Sequence, residues 1–441
     1  MTLKRVIRQT TIESVEGAGH FDAIVVGSGA SGGLAAYKMT KAGMRVLVLD
    51  AGLVPPLWQR PVSRTLNGLV KLVSNPIALQ YLPARVTWKA REWLKLAGRH
   101  RQAVQSTCYA WEGLPDGFVD DLDNPYETPD EQSFNWIRTH NIGGRMVVPG
   151  HGRQYLRHSE SDFSPSDSAS PDWPVTLAEM APWYEEVERL LQLSGQANGS
   201  EWVPDSLISN DISPGPAQRA IMHAIQEKWP EARPMLGRFA DPLDSMAMAA
   251  ETGQLACRTG AMAARLLVSG GQRAQGVEFY DKRERRRAKA HAPIVFLCAS
   301  SFETTRLLLN SRQDGALRQT GAPDGPLGRY IMDHVSVKAE GLMPDRGMAR
   351  ADFDIGNCIY LPRFDLCSAT ARGTKRGFGV RLYRVPGPGE RSYFTAVSDA
   401  EMLPNADNRL TIGDQRDRWG IPTLRIDYRL GRDEQYQMRD Q

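Results

Sequence analysis

Apolar and β-branched residues gather in a short run at Ala23 to Val26 and stop at a cluster of glycines. A helical pattern follows, and a second apolar run from Arg45 to Leu49 ends on the acid Asp50. Continuous apolar runs of this length predict strands covered on both faces, and the intervening pattern predicts the helix of a βαβ unit. The glycines read Gly27-x-Gly29-x-x-Gly32, with Ala36 and Gly43 at further offsets. Gly27 permits a tight turn out of the strand, Gly29 lets backbone approach a pyrophosphate, and Gly32 lets helix and strand pack closely. The helix N-terminus offers free N–H groups and a positive dipole end to phosphates. Asp50 stands where a carboxylate can accept hydrogen bonds from a ribose, so the segment predicts dinucleotide binding.

Further along, the periodicity is lost and then regained. Residues 53–133 are irregular and Pro-rich, with helical patches, and are expected to form a long excursion over the nucleotide domain. At Asn141 a second glycine cluster begins, NIGGRMVVPGHGRQYLRHSESDF. Gly143 and Gly144 followed by Arg145 suit a backbone loop lying against a charged or planar ligand, with an ordinary turn into a strand as the alternative. Asp172 to Gly195 predicts a helix with Thr176 and Glu179 as its capping box and Gly195 as its stop. Residues 196–245 are polar, with a short helix over Ala217 to Lys228. An α/β pattern then returns: strands at Gln254–Arg258, Met262–Ser269, Gly276–Tyr280 and Ile294–Cys298, and a helix at Ser301–Asn310. From residue 340 strand-like runs dominate, and no internal repeat is visible.

A chain of 441 residues is long enough for two domains or one large interrupted one. Net charge is +3 and 41% of residues are apolar, a balance that fits a globular protein and points away from a nucleic-acid binder. The densest basic run, KRERRRAK at Lys282 to Lys289, reads as a solvated hairpin. The five cysteines are scattered without CxxC spacing, which implies reduced thiols and no metal site. The N-terminal residues lack the apolar run of a signal peptide, so the default compartment is cytoplasmic. No run approaches the roughly 18 apolar residues of a membrane span, and Leu66–Leu82 reads as an interface or core helix.

Several segments taken in order resemble the glucose-methanol-choline (GMC) family of FAD oxidoreductases. They are the first glycine unit, the NIGGR loop, VFLCASSFETTRLLLNS at Val295–Ser311, GPLGRYIMDHV at Gly325–Val335, and NADNRLTIGDQRDRWGIPTLRIDY at Asn405–Tyr428. The resemblance is nearest to the bacterial branch of sugar, gluconate and glycoside dehydrogenases or oxidases. It implies an α/β fold in which a Rossmann-like FAD-binding domain (20–55, 135–165 and 250–340) is interrupted by an α+β substrate-binding domain with an antiparallel sheet (166–249 and 341–441). Residues 56–134 would be the excursion over the FAD domain. It also implies FAD as cofactor, held by Gly27, Gly29, Ser31, Gly32, Asp50 and Gly52. Gly143, Gly144 and Arg145 would lie along the flavin and its phosphates. Ala263 would meet the adenine, and Ala299 and Ser300 would close over the nucleotide, with simple core packing as the alternative for these last sites. The segment at Asn405–Tyr428 would be a strand pair of the substrate-binding sheet.

The departures are informative. After GGR this branch continues with tryptophan and WGRQ. Here the chain reads MVVPGHGRQ, with His151 in the tryptophan position and Pro149–Gly150 inserted. His151 is out of register with the histidine that attaches flavin covalently in some relatives, so FAD is expected to be non-covalent. Asp50 stands where the family more often has Glu. The family's catalytic base is a C-terminal histidine paired with another His or Asn, and none of the eight histidines lies beyond His334. The catalytic pair is therefore expected beyond Gln441, on a longer chain or a partner subunit, and His334 reads as structural.

The expected reaction is oxidation of a CH–OH group of a sugar or other alcohol, with proton removal by a base and hydride transfer to flavin N5. Arg381, Tyr383, Arg384 and Tyr393 are polar groups suited to the substrate side, with an ordinary surface position as the alternative for each. The electron acceptor is open, as is export to the periplasm alongside a partner subunit. Two other readings stand beside this one: an inactive flavin-fold remnant, and a nicotinamide dehydrogenase using the same glycine motif.

Overall fold

The computed structural model describes residues 9–17, 19–53, 105, 108, 117–131, 134–148, 154–164, 172–240, 243–270, 273–313, 325–344, 358–367, 377–386 and 391–441. The helix expected at 66–82, most of the 53–133 excursion, Pro149, Gly150 and His151 lie outside them. Two compact units share the chain: Met1–His151 with Asp244–Ile331 and Ala406–Tyr428, and Gly152–Leu243 with Met332–Asn405 and Arg429–Gln441.

The first unit is built on a four-stranded parallel sheet. Its strands are β1 (Ala23–Val26), β2 (Val46–Asp50) and β3 (Leu255–Thr259), followed by an antiparallel trio β4 (Ala261–Ser269), β5 (Arg273–Asp281) and β6 (Arg286–His291), and then β7 (Ile294–Leu297). The parallel order is β7-β1-β2-β3, while β4, β5 and β6 form a separate sheet. Every residue of β1 and β2 is buried. Alternation divides their side chains between two cores. Ile24, Val26, Leu47 and Leu49 pack with Val277 and Phe279 of β5. Val25, Val46 and Val48 pack with Ala36, Ile142, Met246 and Ala249. Ala36 belongs to the helix α1 (Ala30–Lys41), which returns the chain from β1 to β2. The second α/β stretch folds where its pattern predicts, within three residues at each end, and a helix runs over Ser301–Gln313.

Two expectations change in detail. The helix capped by Thr176 and Glu179 runs over Leu177–Leu191, with both capping-box bonds formed. It ends at Gln192, in the left-handed region at φ 51°, and not at Gly195. Gly195 is needed elsewhere, because a Cβ there would lie 2.9 Å from the Arg238 side chain. The basic run is a hairpin between β5 and β6, yet its first residue is not solvated. Lys282 is half-buried, donates to the Ala51 carbonyl at 2.9 Å, and lies 4.3 Å from the centre of the Trp419 ring.

The second unit holds an antiparallel sheet of β8 (Val335–Pro344), β9 (Ile359–Leu361), β10 (Phe378–Pro386) and β11 (Arg391–Ala400), ordered β8-β11-β10-β9 and finished by Met235–Leu236. One face is apolar, with Val335, Ala400, Phe378, Ile359, Leu361 and Leu236 buried. The other carries charge: Ser336 donates to Asp399 at 2.6 Å, and Arg381 donates to Asp399 and, at 3.1 Å, to Gln154. Arg381 and Tyr383 share this polar face, two residues apart on β10, whereas Arg384 alternates to the other side. The Tyr393 side chain is outside those described.

The last strands, β12 (Arg409–Arg416) and β13 (Pro422–Asp427), form a two-stranded sheet of their own, with β13 also bridged to Glu127, and belong to the first unit, not to the antiparallel sheet of the second. Their buried Leu410, Leu424 and Ile426 pack against Tyr126, Trp136 and Phe302. Arg306, on the helix Ser301–Gln313, fastens them. Its guanidinium donates to Asp417 at 2.7 Å and to the carbonyls of Pro422 and Ile421 at 2.7 and 3.1 Å. Both charges are almost wholly buried, at 4% and 0% side-chain exposure, so removing one strands the other. Asp417→Ala is expected to destabilise the first unit by about 3–5 kcal/mol, measured as a shift in the urea midpoint at constant slope.

Candidate dinucleotide-binding site

The mouth of the first unit lies where β1 gives way to α1. Gly27 takes φ 95°, and a Cβ on it would sit 2.5 Å from the Cys298 carbonyl oxygen after β7. A Cβ on Gly32 would lie 2.0 Å from the Gly27 carbonyl. Both are glycines because the chain's own packing allows nothing larger. Gly29 is different. Its φ of −63° is open to any residue, and a Cβ there would find nothing nearer than Gly144 Cα at 3.9 Å. Among the described residues nothing else crowds this position, which directly precedes a helix N-terminus that has no side-chain cap.

Asp50 organises this mouth. Its Oδ2 accepts from the Ser28 N–H at 2.8 Å and the Ser28 hydroxyl at 2.5 Å, and its Oδ1 accepts from the Gly52 N–H at 2.7 Å. Ser28 Oγ in turn accepts from the Gly143 N–H at 2.8 Å. Through one carboxylate the glycine turn, the end of β2 and the NIGGR loop are joined. Burial pushes the Asp50 carboxyl above its ordinary range, opposed by the donors of Ser28 and Gly52 and by the Lys282 charge. A carboxylate has about four lone-pair sites and three are taken, so one is left for a further donor.

Gly143 and Gly144 both adopt positive φ, 84° and 58°, and a Cβ on Gly144 would lie 2.8 Å from Gly29 Cα. The two glycine loops thus meet backbone to backbone. Arg145 opens the short 3₁₀ turn Gly144–Val147 and is exposed. Ser31, exposed on the first turn of α1, donates to the Cys298 thiol, whose pKa burial raises. Ser300 takes φ 71°, an unusual conformation for a residue with a side chain, and its carbonyl starts the helix that follows. Ala299 packs against the β1–β2 core. Ala263 is set apart from the loops, on β4 opposite Phe279, packed against the same core.

Sequence reasoning missed three groups here. Ser28 is hidden inside the glycine motif as an unspecified position. His140 precedes the second glycine cluster, and burial together with the charges of Lys282, Arg138 and Arg306 holds its pKa well below 6.5, so it is neutral. Lys282 looked like surface charge but is lowered by burial to about 8, against the pull of Asp50, Asp123, Asp417 and Glu303. A lysine whose folded pKa lies below its unfolded value opposes folding while it is charged. Stability therefore rises as pH climbs from about 8 to about 10.5. Relative to Lys282→Met, the wild-type chain should gain about 1–3 kcal/mol across that window, read from urea unfolding at the two pH values. An equal pH response of both proteins would refute the burial assigned to Lys282.

The family described as NAD(P)-binding Rossmann-like domain matches residues 25–59. A 2-methyl-1,2-propanediol dehydrogenase of Mycolicibacterium austroafricanum is 24% identical, over 92% of this chain and 76% of its own. Paromamine 6′-oxidase of Streptomyces fradiae is also 24% identical, over 92% and 72%. Among solved structures, pyridoxine 4-oxidase from Mesorbium loti covers 95% of this chain and 78% of its own, at a TM-score of 0.56 and 19% identity. Formate oxidase of Aspergillus oryzae covers 96% and 79%, at a TM-score of 0.56 and 12% identity. The chain shares its fold with these two oxidases. The Gly27–Gly32 turn and Asp50 fall within the residues that match the Rossmann-like model, and the Gly143–Gly144 loop lies against them. No helix among the described residues is long and apolar enough to cross a membrane.

Proposed function

We propose that this chain is an FAD-dependent oxidoreductase acting on a CH–OH group of a sugar or another alcohol. The observation that carries the cofactor is Gly29. A residue free of steric demand from its own protein remains a glycine, in front of the open N–H groups of α1, where a pyrophosphate would rest. Gly27 and Gly32 shape that turn, and Gly143 and Gly144 bring a second strip of backbone against it. Asp50 keeps one acceptor site for a ribose hydroxyl, with Gly52 and Ser31 beside the loop. Arg145, exposed at the start of its turn, is a cation suited to phosphate or flavin oxygens. Ala263, Ala299 and Ser300 border the site more remotely.

Bound FAD would supply the oxidant, accepting hydride at flavin N5 from the alcohol carbon. The chain's part is to bind, orient and exclude water. Arg381, Asp399, Gln154 and Tyr383 place donors and acceptors together on one face of the second unit's sheet, a combination suited to hydroxyl groups. The similarity to a paromamine 6′-oxidase and a 2-methyl-1,2-propanediol dehydrogenase supports a hydroxylated substrate. The hydroxyl proton needs an acceptor. Among the described histidines His20, His158, His223, His291 and His334 are exposed, and His140 is half-buried and neutral.

The purified chain with added FAD is expected to show a flavin spectrum after desalting, and to bleach anaerobically with a diol or glycoside. Gly29→Ala should leave the ligand-free stability within about 1 kcal/mol, because among the described residues the added methyl meets nothing nearer than Gly144 Cα at 3.9 Å. It should weaken FAD uptake about tenfold or more, since about 1.4 kcal/mol of steric conflict is enough. Undiminished uptake by this variant would remove Gly29 from the cofactor site.

A further inference from the structure

We propose that Thr139 and Asn141 are ligands of the ADP half of the dinucleotide, an assignment that rests on the dinucleotide reading above. Thr139 Oγ1 and Asn141 Nδ2 are buried, and neither has a hydrogen-bond partner among the described residues. Buried polar atoms in a folded chain are nearly always paired, and an unpaired one is costly. Their backbone neighbours, by contrast, are satisfied. The His140 N–H donates to Gly117 O at 3.1 Å, Asn141 O accepts from the Gly144 N–H at 2.8 Å, and the Gly143 N–H reaches Ser28. The backbone of the segment is held while one polar atom on each of these two side chains lacks a partner.

Its position says what they would meet. At one end the backbone abuts the close of β2: a Cβ on Gly52 would lie 2.9 Å from both His140 O and Ile142 N. At the other end Gly144 abuts Gly29 at the N-terminus of α1. Residues 139–144 therefore run from the end of β2 beside Asp50, the acid assigned above to the ribose, to Gly29, the glycine assigned above to the pyrophosphate. Those groups are rich in acceptor oxygens. An amide N–H₂ and a hydroxyl are the donors that match them.

The test uses the full chain, with Thr139→Val and Asn141→Leu, two replacements of similar shape that delete the polar atom. FAD and ADP are titrated separately, and thermal midpoints are measured without ligand. Each variant is expected to weaken both FAD and ADP by about tenfold, while the ligand-free midpoint stays or rises because an unpaired buried group has gone. A purely structural role would lower that midpoint and overturn the assignment. So would unchanged affinities, or a loss confined to FAD with ADP binding intact, which would place the contact on the flavin half. If the variants match a wild type that binds both ligands, the dinucleotide reading stands and this assignment alone falls. A wild type that takes up neither ligand removes both.

Discussion

The buried carboxylate of Asp50 is the constraint on which this mouth depends. Three segments distant in sequence must meet there: the turn after β1, the end of β2 and the loop at Asn141. Ile142 packs into the core with Val25, Val46 and Val48, but at the mouth itself the facing surfaces are glycine backbone. Directional bonds do the work. Asp50 takes two donors from Ser28 and one from Gly52, and Ser28 passes the connection to Gly143. An acid one methylene shorter than glutamate suits this inward role, since its oxygens stay close to the backbone it serves. The arrangement also explains why a charge can sit where β2 is otherwise sealed: its donors and the nearby Lys282 offset part of the desolvation.

Charge elsewhere in the first unit follows the same rule. Arg306 and Asp417 bury one another while tying the β12–β13 hairpin to a helix, and Arg138 bonds Asp121 at 2.7 Å while lying over Trp136 at 4.2 Å. Burial, with the charges of these cations and of Lys282 added to it, holds the His140 pKa well below its ordinary value. Buried pairs of this kind contribute little net stability, but breaking one is expensive. They fix which loop lies on which, and so set the geometry of a site whose walls are mostly backbone.

The two units use opposite solutions for their sheets. In the first, β1 and β2 are apolar throughout because layers cover both faces. In the second, alternation leaves one face buried and one polar, and the polar face collects Arg381, Asp399 and Gln154. A sealed parallel sheet with glycine turns at its carboxyl ends suits cofactor binding. An antiparallel sheet with a polar face suits recognition of hydroxyl groups. The division of labour in the proposed reaction follows from these two physical types.

Much of this was legible in the chain alone. The apolar runs, the glycine spacing and the terminal acid determined the βαβ unit, because strand period, turn sterics and helix dipole are local properties. The resumed strands at 255–297 and the Thr176–Glu179 cap were local too. What the sequence could not decide were partners across long separations. Lys282 stands in a basic run whose other members are ordinary surface charge, and only the approach of Trp419 and Ala51 buries it. The β12–β13 hairpin carries the pattern of a sheet strand pair, yet its buried leucines found their complement on the helix at Ser301–Gln313 and on Trp136. Ser28, His140, Thr139 and Asn141 have no periodicity to betray them. Their significance comes from which backbone stands opposite, and that is set only when the tertiary fold closes.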